Sequence, residues 1–426
     1  MQKNGKNELN NNIGDEKAKN NTSHAGKLAD KKQPGKPHEI ADSRRKIAFY
    51  IGSLHKGGAE RVFINLAEYF LEQGYQVVMV TQYRKEHEYE LAVGIERVIS
   101  DITPRETTRN RVVNFLRRVG KLHRIWKMER PDLVLSCVGK NNFMTIVTTM
   151  FTKTKPVVSV VGEAAEEYPN RLMKMLANIL FPFATGVILQ TERSRTFFSG
   201  KIGRTAVILP NSLNPDFLRP QYQGEREKRI VSVGRLDANK NHEMMIRAFA
   251  KLMEKYPEYT LTIYGDGALR AQLEQIVASF GAENRIFLPG VIPDVAEKIE
   301  SAALFLLTSY SEGVSNALIE AMALGLPVIA TDVPSGGTVE LIEHGKNGWI
   351  IPAGDEEALT AALDMLLSDP ELAERLGAQA HKIQERLAPE RVNRQWQEYF
   401  EQCIMKGYNA DRRRMQNRYE QDGRKA

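Results

Sequence analysis

The sequence predicts an α/β protein built from two doubly wound, Rossmann-like domains that face each other across a cleft. Its 426 residues fit two domains of ordinary size. Short apolar runs alternate with helical patterns in two separate series, which is typical of parallel sheets. Glycine-rich loops follow several predicted strands, at the position where ligands bind in such sheets.

The first series begins with a strand at 46–51, a loop containing Gly57-Gly58 and a helix at 59–72. This order is the opening of a βαβ unit. A second helix is predicted at 107–129. The further strands of this series are predicted at 75–81, 133–138, 157–161, 187–189 and 207–209.

The segment Pro210-Asn211-Ser212-Leu213-Asn214-Pro215 predicts a linker, because it combines two prolines with turn-forming residues. A second alternating series follows it. Its strands are predicted at 230–233, 261–264, 286–288, 304–307 and 327–330, and its helices at 243–255, 268–280 and 294–302. We therefore expect an N-terminal domain at 45–212, a C-terminal domain at 213–388 and a last helix at 389–406.

The formal charge of +6 belongs to the two ends of the chain. Residues 1–46 carry a balance of +5 and residues 401–426 one of +3, which leaves −2 for the centre. This distribution argues against nucleic acid as a partner of the core. We expect 1–44 to be a disordered basic tail without a signal peptide, and 407–426 to be a second basic tail. The two cysteines, Cys137 and Cys403, indicate a reducing cytoplasm.

Two glutamates, Glu312 and Glu320, lie eight positions apart after the predicted strand at 304–307. A polar turn at 313–316 separates them from the start of a helix at Ala317. A strand, a turn and a helix start in this order form an anion site, because free backbone N–H groups and the positive helix end face the ligand. Glu320 would lie about 12 Å along the chain from Glu312, at about 1.5 Å per residue. A ligand touching both must therefore be long, such as a nucleotide joined to a second group through phosphates.

A glycine turn with two cations follows the predicted strand at 230–233. Arg235 comes directly after Gly234, and Lys240 stands five residues later. A fork-shaped cation and a point cation suit a diphosphate, although surface side chains at a loop would give the same pattern. The sequence contains no Asp-x-Asp pair for a nucleotide-bound divalent metal. We therefore expect no metal cofactor, and basic groups and helix starts would neutralise the leaving diphosphate instead.

With these motifs the chain resembles a retaining glycosyltransferase of family 4, whose two-domain architecture is the GT-B fold. The resemblance implies that the domain at 45–212 is the acceptor-side domain and that the domain at 213–388 binds the nucleotide sugar. It also implies that the last helix, at 389–406, returns to the first domain with its aromatic residues in packing roles. The resemblance covers residues 46–400. It rests on Gly57-Gly58-Ala59-Glu60, Gly234-Arg235-Leu236 with Lys240, Tyr264-Gly265-Asp266-Gly267, Leu288-Pro289-Gly290, the Glu312 and Glu320 pair with Ala321-Met322-Ala323, and the segment 325–331.

The resemblance implies a role for each matching position. Arg235 and Lys240 would hold the donor diphosphate and stabilise its departure. Glu312 would meet sugar hydroxyls without acting as a nucleophile, and Glu320 would bind the ribose hydroxyls. Departure and attack would take place on the same face of the sugar, with the diphosphate as the base. The remaining donor-site residues would be Gly57, Gly58, Gly234, Gly265, Val291 beside the base, Gly313, Val314, Ser315 and Asn316.

The acceptor side departs from the family pattern. Relatives often carry a histidine or a basic residue at the end of the strand predicted at 157–161. This chain has Gly162, Glu163, two alanines and Glu166 there. Either Glu163 or Glu166 contacts the acceptor, or that contact is absent and the loop is merely a solvated acidic one.

Two basic and apolar stretches predict contact with an anionic membrane surface. Residues 105–130 contain nine Lys/Arg and two Asp/Glu. Their apolar residues recur at helical spacing and are expected to pack on the sheet, which leaves the basic face for anionic lipid. The apolar residues of the stretch at 105–130 are Val112, Phe115, Leu116, Val119, Leu122 and Trp126. The second basic and apolar stretch is 171–183.

The leading hypothesis is transfer of a hexose or an N-acetylhexosamine from a UDP-sugar to a glycan or lipid-linked glycan in surface polysaccharide biosynthesis. The enzyme would be cytoplasmic and peripheral on the inner face of the cell membrane. A nucleotide-sugar epimerase and a degenerate scaffold subunit of a partner transferase are the alternatives. A dinucleotide dehydrogenase is disfavoured, because the first loop lacks Gly-x-Gly-x-x-Gly.

Overall fold

A computed structural model describes residues 45–55, 57–198 and 200–422, without the side chains of Lys201 and of residues 407–422. The tail predicted at 1–44 lies outside these ranges. The described chain forms two parallel sheets with helices alternating between the strands, which confirms the predicted fold class.

The first sheet has seven strands in the order β3-β2-β1-β4-β5-β6-β7, and the second has six in the order β10-β9-β8-β11-β12-β13. All pairings within them are parallel. The strands are β1 (Lys46–Ile51), β2 (Gln76–Thr81), β3 (Glu96–Ile99), β4 (Leu133–Cys137), β5 (Lys155–Val160), β6 (Gly186–Leu189), β7 (Val207–Ile208), β8 (Glu227–Val233), β9 (Thr260–Tyr264), β10 (Ile286–Gly290), β11 (Ala302–Leu307), β12 (Val328–Asp332) and β13 (Trp349–Pro352).

The helices connect these strands and cover both faces of the sheets. Those of the first half are α1 (Gly58–Glu72), α2 (Arg111–Glu129), α3 (Lys140–Thr149), α4 (Ala164–Glu167), α5 (Arg171–Leu180), α6 (Glu192–Phe197) and α7 (Gly200–Thr205). Those of the second half are α8 (His242–Ala250), α9 (Arg270–Ser279), α10 (Val295–Ile299), α11 (Asn316–Ala323), α12 (Gly337–Leu341), α13 (Glu356–Ser368), α14 (Pro370–His381), α15 (Ile383–Arg386) and α16 (Pro389–Asp422).

Side-chain caps fix the starts of several helices. The Asn110 side chain accepts from the backbone amides at the start of α2, and Asp355 accepts from Ala358 at the start of α13. Such caps satisfy amides that have no partner inside the helix. Two edge strands, β3 and β13, were not predicted. Both lie at a sheet edge and are mostly only partly buried, so they lack the buried apolar run that marks the central strands.

The last helix packs against the first sheet's domain. The Phe400 ring stacks on Phe70 of α1 with ring centroids 5.1 Å apart, and the Trp396 indole donates to the Pro210 carbonyl at 3.0 Å. Both aromatic residues are buried and pack in the core. The helix continues to Asp422, beyond the expected end at 406, because 408–422 contains neither proline nor glycine to stop it.

Among the described helices, none combines the length and the apolar character that crossing a bilayer requires. The most apolar stretch of the first domain, 172–189, divides into α5 and β6.

Candidate active site

The loop between β11 and α11 holds Glu312 in contact with Lys240. The two side chains form an ion pair and are only 15% and 14% exposed. The Ser309 hydroxyl donates to the same carboxylate oxygen of Glu312 at 2.6 Å. Glu312 is thus an oriented carboxylate whose neighbours are a cation and a hydroxyl.

The loop after β8 is tied to the loop after β11 by the Asn239 side chain. Its amide oxygen accepts from the Ser311 backbone amide at 2.9 Å, and its amide nitrogen donates to the Ser311 carbonyl at 2.7 Å. The Thr308 hydroxyl donates to the carbonyl of Lys240 at 2.9 Å. These bonds fix the position of Lys240 relative to Glu312, although the residues are 72 positions apart. No sequence motif indicated the role of Asn239.

Glycine is required where the loops after β8 and β9 meet. A β-carbon on Gly265 would lie 1.8 Å from the Gly234 carbonyl oxygen, and Gly265 has φ of +140°. The Lys240 side chain passes over Gly234, with its Cδ and Cε 3.5 Å from where a β-carbon would lie. Packing alone therefore requires glycine at 265, whereas at 234 a β-carbon would meet Lys240 at an ordinary van der Waals distance. Below them, burial lowers the pKa of His242 to about 4, so this ring is neutral at pH 7.

Arg235 lies apart from the Lys240 and Glu312 pair. Its side chain is 75% exposed and contacts Asp237 at 3.1 Å. Burial raises the pKa of Glu60, which follows Gly57-Gly58 on the other domain, and the Arg235 charge opposes that rise. The Arg235 charge therefore acts on the glycine loop of the other domain, while its side chain remains largely exposed.

Glu320 is buried on α11, where it forms an ion pair with Arg61 of α1. Burial raises the pKa of Glu320 to about 7, against the opposing effect of the Arg61 charge, and the Asp216 carboxylate adds to the rise. The pair borders a small crevice between the domains. The crevice is lined by Arg61, Val62, Asn65, Ser212, Leu213, Asn214, Asn316, Ile319 and Glu320.

A row of amide side chains joins the two domains beside this crevice. The Asn316 side-chain nitrogen lies 3.5 Å from the Gly58 carbonyl oxygen, and its oxygen accepts from Asn211 at 3.1 Å. The Gln190 side chain donates to Asn211 at 2.7 Å and accepts from the Val314 backbone amide at 3.2 Å. Asn316 and Val314 were predicted site residues, whereas Gln190 and Asn211 were not, since isolated amides give no sequence signal.

Gly313 lies directly against the first domain. A β-carbon on Gly313 would stand 2.1 Å from the Val161 carbonyl oxygen and 2.8 Å from the Gln190 side-chain oxygen. The next residues, Ser315 and Asn316, begin α11 without a side-chain cap, so the first amides of the helix remain available. Val291, the residue expected beside the base, follows β10 and is exposed.

The acceptor-side candidates have different environments. Glu163 begins α4, and one carboxylate oxygen accepts from the Ala165 amide at 3.4 Å. Its other oxygen, Oε2, is buried and has no hydrogen-bond partner among the described residues. Burial raises the pKa of Glu163. Glu166 is exposed on the outer side of the same short helix.

Glu167 was not predicted, yet it is the most constrained carboxylate of this loop. It accepts from the backbone amides of Val161 and Gly162 at 2.9 Å, and from that of Gly139 at 2.9 Å. Burial raises its pKa against these three hydrogen bonds. Glu167 thereby joins the loops after β4 and β5, including Val138, a branched residue with φ of +70°.

Within the described ranges, no three His, Cys, Asp or Glu side chains converge in a way that would hold a metal ion. The expectation that no metal takes part remains a prediction.

Two family models match adjoining parts of the chain. The model for glycosyltransferase family 4 matches residues 56–217, and the model for group 1 glycosyl transferases matches residues 216–383. The chain belongs to the family 4 glycosyltransferases. The predicted enzyme class, a hexosyltransferase, is thereby confirmed.

Three relatives are 26–30% identical to this family 4 member over the aligned residues. An α-1,4-N-acetyl-D-galactosaminyltransferase of Campylobacter jejuni is 26% identical over 76% of this chain and 89% of its own. An uncharacterized glycosyltransferase of Haemophilus influenzae is 26% identical over 83% of this chain and 99% of its own. An exopolysaccharide phosphotransferase of Streptomyces coelicolor is 30% identical over 64% of this chain, but this chain spans only 30% of that protein.

Solved structures confirm the GT-B fold of this family 4 glycosyltransferase. HepE of Anabaena, solved in complex with UDP, superposes with a TM-score of 0.70 at 20% identity, covering 84% of this chain and 100% of HepE. A sucrose-phosphate synthase of Thermosynechococcus elongatus superposes with a TM-score of 0.72 at 20% identity, covering 85% of this chain and 100% of the synthase.

Proposed function

We propose that this enzyme transfers a hexose or an N-acetylhexosamine from a UDP-sugar to a glycan or lipid-linked glycan in polysaccharide biosynthesis. The name of the Campylobacter jejuni relative describes transfer of N-acetylgalactosamine to a glycan on undecaprenyl diphosphate, and HepE was solved with UDP. The observation that carries the proposal is the pairing of both glutamates with cations, Glu312 with Lys240 and Glu320 with Arg61, at the two ends of one turn and helix start.

The donor would lie along this turn and helix. The ribose hydroxyls would donate to the Glu320 carboxylate, which requires Arg61 to share it or to move aside. Lys240 and the exposed Arg235 would bind the diphosphate, together with the uncapped amides at the start of α11. Charge stabilisation of the leaving group would then come from two side chains and the backbone, without a metal.

Transfer would proceed with retention at the anomeric carbon. The bond from that carbon to the diphosphate oxygen breaks, a bond to the acceptor oxygen forms on the same face, and the acceptor proton passes to the diphosphate. Glu312 would accept hydrogen bonds from donor sugar hydroxyls. Its contacts with Lys240 and Ser309 support this binding role, because a carboxylate held by a cation and a hydroxyl is a poor nucleophile.

On the acceptor side, Glu163 is the better candidate of the two predicted carboxylates. Its Oε2 is buried without a partner, and an acceptor hydroxyl would supply the missing donor. Glu163 also follows Val161 and Gly162, the segment that meets Gly313 of the donor loop. Glu166 is exposed and offers no comparable position.

We also propose a cytoplasmic location, at the inner face of the cell membrane. Cys137 and Cys403 are both buried free thiols, which suits a reducing compartment. A lipid-linked acceptor would bring the enzyme to the membrane surface.

The test combines binding and transfer. The melting temperature is measured with UDP, GDP and ADP, first with EDTA and then with magnesium, and transfer from matching nucleotide sugars is followed by NMR of the anomeric proton. We expect UDP to raise the melting temperature equally in both conditions and the product to keep the donor configuration. Magnesium-dependent binding, or an inverted product, would contradict the proposed mechanism. Absence of any nucleotide response would favour the scaffold alternative.

A further inference from the structure

Helix α5 carries an apolar row that no described part of the chain covers. Leu172, Met175 and Ile179, with Phe183 just beyond the helix, are 51–62% exposed. Their spacing of three, four and four residues puts them on one side of the helix. The opposite side is already used, since Ala177 and Phe181 are buried in the core of the first domain. The exposed row is thus additional to what folding requires.

Helix α2 has a second exposed apolar row on its first two turns. Val112, Phe115 and Leu116 are 54–65% exposed, whereas Leu122 and Trp126 are buried. The expectation that the whole stripe packs on the sheet is therefore wrong for its first half.

The reason is the position of α2 along its neighbour. The Trp126 indole donates to the Thr148 hydroxyl at 2.9 Å, so the last turns of α2 lie beside the last turn of α3. Both helices follow parallel crossovers and run in the same direction. Helix α3 begins at Lys140 and is shorter than α2, so the first turns of α2 extend to the start of α3 or past it. These turns therefore have little or no α3 beside them.

The two rows belong to one side of the first domain. Helix α3 packs against both α2 and α5, and the Phe143 ring of α3 contacts Phe181 with ring centroids 6.3 Å apart. Helices α2 and α5 also begin at the carboxyl ends of the strands, the edge that carries the cleft loops. We name Val112, Phe115, Leu116, Leu172, Met175, Ile179 and Phe183 the α2–α5 surface.

Basic residues surround the α2–α5 surface. Arg105, Arg109, Arg111 and Arg171 are exposed near the two helix starts, and α2 adds further cations along its length. Asp101 and Glu106 are acidic residues near α2 here. The Asp101 carboxylate accepts from Arg118 of α2. The Glu106 carboxylate accepts from Thr103, and Arg117 of α2 donates to the Glu106 backbone carbonyl. Exposed apolar rows bordered by cations have the chemistry of a surface that enters the headgroup region of an anionic bilayer.

We propose that the α2–α5 surface docks on an anionic membrane, with the α5 row inserted among the lipids and the cations against their headgroups. Docked in this way, the cleft edge of the first domain lies next to the bilayer. Docking would bring the cleft to an acceptor in the membrane. This purpose rests on the proposed lipid-linked acceptor, whereas docking itself does not depend on that acceptor. A bare basic face would bind by charge alone, and the exposed rows add an apolar contribution that salt does not screen.

The experiment is flotation of the full chain with vesicles of phosphatidylcholine alone or with 30% phosphatidylglycerol. We expect binding to the anionic vesicles and at least tenfold weaker binding for Leu172→Ser/Met175→Ser/Ile179→Ser. The charge variant Arg109→Glu/Arg111→Glu should lose most of its preference for anionic lipid. Matched controls are Val93→Ser, at a fully exposed apolar residue outside this surface, and Lys298→Glu/Arg391→Glu, at exposed cations elsewhere.

Circular dichroism melting verifies that each variant is folded. Equal vesicle binding by the α5 triple variant and by the wild type, or no binding by the wild type, would overturn the proposal. UDP binding and transfer to a water-soluble acceptor should survive the triple substitution. A triple variant that loses only vesicle binding supports the docking role of the α2–α5 surface. A wild type that shows no transfer contradicts the proposed function and leaves the docking result unaffected.

Discussion

Arg61 and Glu320 are 259 residues apart in sequence, yet they form an ion pair between the two domains. Arg61 belongs to the first turn of α1, directly after the Gly57-Gly58 loop, and Glu320 to the middle of α11. A single contact thus couples the glycine loop of one domain to the expected ribose site of the other. A nucleotide that takes over the Glu320 carboxylate would also change how the domains are joined.

The first prediction concerns the pH dependence of UDP binding. Because burial raises the pKa of Glu320 to about 7, part of the population carries a neutral carboxyl group at pH 6. Ribose hydroxyls bind the ionised form better, so UDP affinity should rise from pH 6 to pH 8 by roughly threefold to tenfold. Isothermal titration of Glu320→Gln gives the comparison, since UDP's own ionisation affects both proteins. Parallel profiles would contradict the role of Glu320.

The same shift predicts a pH dependence of stability. The folded state holds the Glu320 proton more tightly than the unfolded state, whose carboxyl has a pKa near 4.5. The free energy of unfolding should therefore fall, relative to Glu320→Gln, as the pH rises from about 4.5 to about 7, and the difference should level off above that. Urea titrations of both proteins at four pH values measure this. A rise in the free energy of unfolding of the wild type, relative to Glu320→Gln, over the same pH range would mean that the Arg61 charge outweighs burial.

Lys240→Ala should lower kcat by about a hundredfold to a thousandfold, as expected for removal of one group that stabilises developing charge. It also leaves Glu312 without its cation, at a cost of about 1–2 kcal/mol in stability after allowance for partial exposure. The double variant Lys240→Ala/Glu312→Gln should recover stability but not turnover. If turnover falls with stability in the single variant and recovers with stability in the double variant, the role of Lys240 is only structural.

Glu167→Gln should impair use of the acceptor without affecting the donor. A glutamine offers one acceptor oxygen, and its NH₂ group would face one of the three backbone amides that Glu167 binds. We expect a higher KM for the acceptor, an unchanged Kd for UDP and a stability loss of about 1–3 kcal/mol. Glu166→Gln, at the exposed neighbour, is the control and should be neutral. A weaker UDP affinity in Glu167→Gln would show that the loops act on the donor instead.

Gly313→Ala should push the two domains apart. The added β-carbon would stand 2.1 Å from the Val161 carbonyl oxygen, a contact that only movement of the backbone can relieve. We expect a lower kcat and a larger radius of gyration by X-ray scattering. Gly120→Ala on α2 has nothing within 4 Å of the new β-carbon and should be neutral, or stabilising by about 0.5–1 kcal/mol. An unchanged radius for Gly313→Ala would indicate that the domains already stand further apart in solution.

The sequence by itself determined the local order of this protein. Apolar runs marked the long central strands, glycines marked the loops at their carboxyl ends, and the Glu312 and Glu320 spacing marked a strand, turn and helix unit. These features depend on neighbours within about ten residues, so a single sequence contains them. Family membership follows from the same motifs.

Only the tertiary structure decided which distant side chains meet. The pairing of Lys240 with Glu312 and of Arg61 with Glu320, and the three amides around Glu167, depend on how separate loops converge at the edges of two sheets. The exposure of Phe115 was also hidden in a regular helical pattern, because periodicity identifies an apolar face but not what covers it. Such relationships arise from packing between elements far apart in sequence, for which local propensity contains no information.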